Sequence, residues 1–215
     1  MRAALFLFVF PLLAVRAQNV SPSDRVLRVG VTAGVSGATI AAPGDNGWSH
    51  RVGLIPGLYA ALPASHLLTI EAGARYAMKG SVYDAANAHD AIMTDYLQVP
   101  VLLRGELPVS GPFAPFVEGG IALGYRMSCR LNANNPTAVF AGTCEEYATW
   151  NGGGTVDRRR LDFSGVGGAG LAYDRGGRRV WVAAQYDHSF RSIYPDVSVK
   201  NRMVALIAGV EWRVR

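Results

Sequence analysis

Eleven charged side chains keep one parity along this chain. Glu71, Arg75 and Lys79 fall on it, as do Arg104 with Glu106, Glu118 with Arg126, Asp187 with Arg191, and Glu211 with Arg213. Acids and bases are mixed, and each set lies opposite a row of apolar residues. Such a column can close on itself as a salt-bridge plug, because charges withdrawn from water are tolerated only when paired and hydrogen-bonded. It can instead line a path for an ion or small molecule, or form a lipid-modifying site at a barrel mouth. No residue signature selects the second use, so an internal plug is expected.

Other groupings that could do chemistry lack the context they need. Gly165-Val166-Gly167-Gly168-Ala169-Gly170 has the glycine spacing of a dinucleotide loop, but no helical pattern follows and Tyr173-Asp174-Arg175-Gly176-Gly177 reads as a turn. Asp187-His188-Ser189 places its three residue types side by side. Strand alternation turns His188 away from the other two, so the hydrogen-bond order of a catalytic triad cannot form. His50, His66 and His89 lie in different connectors and do not suggest a metal cluster. No catalytic residue, cofactor or metal is therefore assigned, and the chain is not read as an enzyme.

Two groupings are more specific. Arg158, Arg159 and Arg160 follow Asp157 at the outer end of a strand, where cationic side chains could meet lipopolysaccharide phosphates or simply anchor a solvated loop. Cys129 and Cys144 are the only two cysteines. In an exported protein they are expected to pair, since disulfides persist in oxidising compartments. The loop so closed, about 15 residues, would be worth roughly 3 kcal/mol in the chain-entropy picture. Two free thiols are the alternative.

The elements that position these residues are strands. Leu68, Ile70, Ala72, Ala74, Tyr76 and Met78 share one face, opposite Thr69, Glu71, Gly73, Arg75 and Lys79. The same period of two recurs in Leu97–Leu107, Val117–Met127, Val180–Arg191 and Val204–Val214, and no stretch has an apolar face at helical spacing. Eight such strands are centred near residues 31, 57, 73, 100, 121, 167, 185 and 208. Their connectors alternate. Short ones fall at Pro63–His66, Pro108–Pro112 and Asp174–Arg178; longer ones fall at Gly37–His50, Ser81–Thr94, Arg130–Arg158 and Ser192–Val199. An even number of strands with short turns on one rim and long loops on the other is the pattern of an outer-membrane barrel. Tyr76, Tyr125, Tyr173, Tyr186 and Trp212 are placed to form its aromatic girdles.

Length and composition agree. The 215 residues suit one domain, 50% are hydrophobic and only 17% charged, below the roughly 25% of soluble domains. Residues 1–17 read as a signal peptide, with Arg2 before the apolar stretch Ala3–Leu13 and Val15-Arg16-Ala17 at the cleavage position. Residues 18–24 form a short lead and 25–215 the barrel domain. Removing Arg2 and Arg16 lowers the formal charge from +5 to +3, with the remaining basic residues dispersed, so nucleic acid is not an expected partner.

Several segments resemble the PorT-type family of small outer-membrane β-barrel proteins. They are Tyr76-Ala77-Met78-Lys79-Gly80, Asp95-Tyr96-Leu97-Gln98-Val99-Pro100-Val101-Leu102-Leu103, Phe116-Val117-Glu118-Gly119-Gly120 with Gly124-Tyr125, Asp162-Phe163-Ser164-Gly165-Val166-Gly167-Gly168-Ala169-Gly170, and Lys200-Asn201-Arg202. The resemblance implies the barrel and the outer membrane of a Gram-negative bacterium. It implies no single activity, although the namesake is associated with protein secretion. The expected fold is all-β: an eight-stranded antiparallel up-and-down transmembrane β-barrel with short periplasmic turns and long extracellular loops. The expected role is structural or interactive, with loops displayed to outer-membrane lipids, including lipopolysaccharide, or to an envelope protein. A narrow pore, a lipid-modifying enzyme or a secretion-associated barrel are the alternatives.

Overall fold

The computed structural model describes residues 26–41, 48–85, 88–109, 111–136, 138–150, 160–175, 177–192 and 199–214. The expected signal peptide and the lead after it lie outside the described residues. The strands are β1 (Arg28–Ala41), β2 (Trp48–Leu54), β3 (Gly57–Pro63), β4 (Leu68–Ala85), β5 (Ala88–Glu106), β6 (Phe113–Asn135), β7 (Ala138–Thr143), β8 (Leu161–Arg175), β9 (Arg178–Ser189) and β10 (Lys200–Arg213), with one short helix, α1 (Cys144–Trp150). Every pairing is antiparallel, and β10 returns to β1 over the full register from Arg28↔Arg213 to Ala41↔Lys200. The strands of the wall thus close into a barrel, the form in which strands satisfy every backbone group in lipid.

Ten strands make eight staves. β2 and β3 are one stave, since both pair with β1 and with β4. The break falls at Ile55-Pro56, where proline has no N–H for the ladder. There the Ile55 amide donates to the Gly34 carbonyl at 3.0 Å, and the Tyr76 amide to the Pro56 carbonyl at 2.9 Å. β7 is no stave; it folds back on the outer end of β6, from Arg130↔Thr143 to Asn135↔Ala138.

Outward residues form an apolar belt because alternation sends every second side chain to the lipid. Val31, Leu58, Ile70, Val99, Ile121, Leu171, Val182 and Leu206 are all exposed on it. No described helix is long and apolar enough to cross a membrane; strands do the crossing. Inside, Tyr59, Phe116, Trp181, Met203 and Ile207 pack into the apolar part of the core. Room for the two largest rings comes from glycine. A Cβ on Gly209 would stand 2.4 Å from the Trp181 ring, and one on Gly30 would stand 2.6 Å from the Tyr59 ring.

Two long connectors expected from the sequence prove to be strand. β4 and β5 continue their ladder past Ser81↔Ile92 to Ala85↔Ala88, and β6 runs on to Asn135 before β7 and α1 follow. Beyond the lipid a ladder needs no apolar stripe, only paired backbone. Polar side chains reinforce it: Asp90 accepts from the Asn134 amide at 3.0 Å and from the Asn135 side chain at 3.2 Å. Where the two extensions leave the belt, the β5–β6 register slips. Asp95 pairs with Ser128 but Tyr96 with Arg126, leaving Met127 as an extra residue in β6. This bulge turns Cys129, Leu131 and Ala133 into a small buried cluster under α1, whereas Tyr125 and Met127 point out.

Candidate functional site

The lumen is filled by a charge network in three tiers. At the turn end, Arg179 pairs with Glu106 at 2.7 Å and Asp174 at 3.2 Å, and Arg28 pairs with Glu211 at 2.9 Å. The Tyr59 hydroxyl donates to Glu211 at 2.9 Å and accepts from the Trp181 indole at 2.6 Å. In the middle tier, Arg104 bridges Glu71 at 2.7 Å and Glu118 at 3.2 Å, with its guanidinium over the rings of Phe116 and Trp181. In the outer tier, Lys79 lies 3.0 Å from Asp162 and 3.0 Å from Asp187. Arg75 reaches Asp187 at 3.3 Å, and its guanidinium donates to Gln98 and Gln185. Gln185 in turn donates to Glu118, tying the outer tier to the middle one.

Glu71, Arg75, Lys79, Arg104, Glu118, Asp187 and Glu211 thus meet in one network, and Glu106 joins it through Arg179 at the rim. Arg126 is buried but stands apart at the outer end, 3.4 Å from Glu145. Arg191 and Arg213 are a correction. Both have the inward parity, but Arg191 lies two residues past the end of β9 and Arg213 ends β10, so they are exposed at the rims. Parity sets a side chain's face, not its depth. Asp162, Arg179, Gln98 and Gln185 are central but absent from the expected charge set. Arg179 shares the parity of Asp187 and could have been found by it. Asp162 precedes a glycine-rich run in which alternation is invisible.

The outer end of β6 carries a second assembly. Cys129 and Cys144 form a disulfide, with Cα atoms 5.5 Å apart, which fixes the start of α1 to β6. Thr143 caps the helix reciprocally with Glu146: the Glu146 amide donates to Thr143 Oγ1 at 3.1 Å, and the Thr143 amide donates to the Glu146 carboxylate at 2.7 Å. Those bonds hold the Glu146 carboxyl below the usual glutamate range. Phe140 and Tyr147 stack edge to face over the cluster beneath. Arg160, just before β8, is exposed and donates to the Tyr125 hydroxyl at 3.2 Å. Arg158 and Arg159 lie outside the described residues.

The remaining groupings stay dispersed. The glycine run lies inside β8. Asp187 and Ser189 face the lumen while His188 sits on the outer wall between Tyr186 and Phe190. His50 is on β2, His66 in a turn, and His89 beside Asp84 in the β4–β5 hairpin. Among the described residues no group of His, Cys, Asp and Glu is arranged to hold a metal ion.

A closed eight-stave barrel with an apolar belt outside and a charge-filled lumen is an outer-membrane β-barrel protein. The chain belongs to the family described as outer membrane protein beta-barrel domain, whose model matches residues 16–194. Among solved structures it is similar to Neisserial surface protein A, at 13% identity with a TM-score of 0.51, covering 87% of this chain and 97% of that one. That likeness is one of fold. The attachment invasion locus protein of Yersinia pestis (12% identity, 86% and 98% covered, TM-score 0.45) and the outer membrane enzyme PagL (14% identity, 85% and 97% covered, TM-score 0.43) are also similar. No curated protein sequence matches the chain.

Proposed function

We propose that this protein is a non-conducting interaction barrel, a rigid wall that displays a covalently braced outer segment. The observation that carries this reading is the lumen network running from Glu106–Arg179 to Lys79–Asp162. An eight-stranded barrel is just wide enough for side chains to fill it, and these fill it with paired charge. The filling has no use for transport, but it stiffens the wall against which β7 and α1 are clamped by Cys129–Cys144. Binding function concentrates on outer segments held by such scaffolds. Under the PorT-type resemblance the partner would belong to a secretion apparatus, and an envelope protein is the class to search for.

The test has two arms. Purified full-length protein in a planar bilayer is expected to give no stepwise conductance; steady unitary steps would overturn the reading. A photo-crosslinker at Val139, exposed on β7, is expected to capture an envelope protein in cells, whereas the same probe at lipid-facing Val182 is not.

A further inference from the structure

One seam of the wall is not closed by its backbone. Between β2 and β4 the ladder stops at His50↔Ser81 and resumes at Gly57↔Arg75, so residues 51–56 face residues 76–80, six against five. Nowhere else between the described staves are more than two successive pairs missing. The gap is one-sided. β2 keeps its ladder to β1 from Val35↔Leu54 to Ala38↔Arg51, and β4 keeps its ladder to β5 from Arg75↔Gln98 to Ala85↔Ala88. It lies within the apolar belt, where Val52 and Leu54 are exposed beside Val35.

Side chains stand in for the missing backbone bonds. The Leu54 amide donates to the Met78 sulfur at 3.4 Å, a weak acceptor where an intact ladder offers a carbonyl. Arg51 spans the gap. Its Nη1 donates to the Lys79 carbonyl of β4 and to Asp95 of β5 at 3.0 Å, and Asp95 accepts from the Ser128 hydroxyl of β6 at 2.9 Å. One guanidinium thus ties β2 to the three staves beyond it. Behind the gap is the lumen: a Cβ on Gly53 would stand 2.6 Å from the Met78 Cβ and 3.1 Å from the Ser36 Oγ. Ser36 is buried, and its hydroxyl has no hydrogen-bond partner. Parting two staves elsewhere breaks backbone bonds that lipid cannot replace, whereas parting β2 from β4 here breaks few. Local opening is drawn from such low-stability segments.

We infer that the barrel opens laterally at this gap, as a window from the lipid to the lumen, and that Arg51 is its latch. Trp48–His50 paired with Ser81–Tyr83 bound the window above and the β3–β4 ladder bounds it below, so it opens while the barrel as a whole stays closed. It admits small apolar molecules dissolved in the membrane, and it is independent of conduction along the barrel axis. The test places a single free thiol in the lumen of the full-length protein in liposomes, the native cysteines being paired. Ser36→Cys puts the thiol behind the window. Ser164→Cys puts it at an equally buried position on β8, where the ladders Ala122↔Ser164 and Ser164↔Ser189 are intact on both sides. A membrane-dissolved N-alkyl maleimide is expected to label Ser36→Cys and to spare Ser164→Cys. Adding Arg51→Gln is expected to speed labelling of Ser36→Cys about tenfold, as loss of a charge-assisted hydrogen bond does. Asp95→Asn, which releases the latch from its other end, is expected to act likewise, and each variant's fold is checked by heat-modifiable gel migration. Equal labelling at both positions, or labelling of Ser36→Cys unmoved by both latch variants, would overturn the proposal. So would equally fast labelling by a water-soluble sulfonated maleimide, which would place entry at an end of the barrel.

Discussion

Lys79 of β4 and Asp187 of β9 meet across the lumen at 3.0 Å, although their strands share no ladder. The contact joins opposite walls, and Lys79 is fully buried. Replacing it by methionine leaves Asp162 and Asp187 facing each other without their shared cation. Breaking a buried pair in this way costs about 3–5 kcal/mol. Lys79→Met is therefore expected to lower markedly the temperature at which the folded gel band converts to the unfolded one, and Arg213→Met, at an exposed rim position, to leave it unchanged.

Gly209→Ala tests the apolar part of the core. The new methyl would stand 2.4 Å from the Trp181 ring, which is held by the Tyr59 hydroxyl and cannot simply step aside. Overpacking of this kind costs about 1–3 kcal/mol. The double variant Gly209→Ala with Trp181→Leu is expected to recover part of that loss in the same gel assay, since the obstructing ring is gone.

The disulfide is expected to govern the outer segment and leave the wall alone. Cys129→Ser with Cys144→Ser should keep heat-modifiable migration, because the staves retain their own ladders, while the segment from Asn135 to Trp150 becomes a substrate for limited proteolysis. An unchanged cleavage pattern would mean that the Thr143–Glu146 cap and the Phe140–Tyr147 contact suffice without the covalent link.

The cap itself has a signed pH dependence. Glu146 has a folded value below its unfolded one, so its contribution is fully present above the ordinary glutamate range, near about 4.3, and is lost as pH falls through the lowered folded value. Amide exchange in Cys144–Trp150, corrected for intrinsic rates, is expected to quicken as the pH is brought into that acidic range. In Glu146→Gln the segment should exchange faster at neutral pH and lose most of this dependence.

The staves were legible wherever one face is apolar and the other charged, as in Leu68–Lys79 or Val204–Trp212, because a buried or lipid-facing stripe fixes the period of two. The same stripe placed Glu71, Arg75, Arg104 and Asp187 in the lumen. It ends where the lipid ends, so the hairpin extensions of β4–β5 and β6–β7 left no such mark, and polar residues there read as loop. Glycine hid the neighbourhood of Asp162 in the same way, having no side chain to alternate. Arg160 belonged to a conspicuous triplet, but the bulge at Met127, which leaves Arg126 on the inner face and Arg130 on the outer one, is announced by no local pattern.

That bulge makes β6 a strand with two reading frames. Up to Tyr125 odd-numbered residues face the lipid; one supernumerary residue, Met127, resets the count so that odd-numbered Cys129, Leu131 and Ala133 face inward instead. The covalent brace exists only in the second frame, because in the first Cys129 would project away from Cys144. Insertions and deletions in this region are therefore not equivalent to those in an ordinary surface loop. A change of one residue between Tyr125 and Cys129 would exchange the inner and outer sides of everything beyond it, whereas a change of two would preserve them.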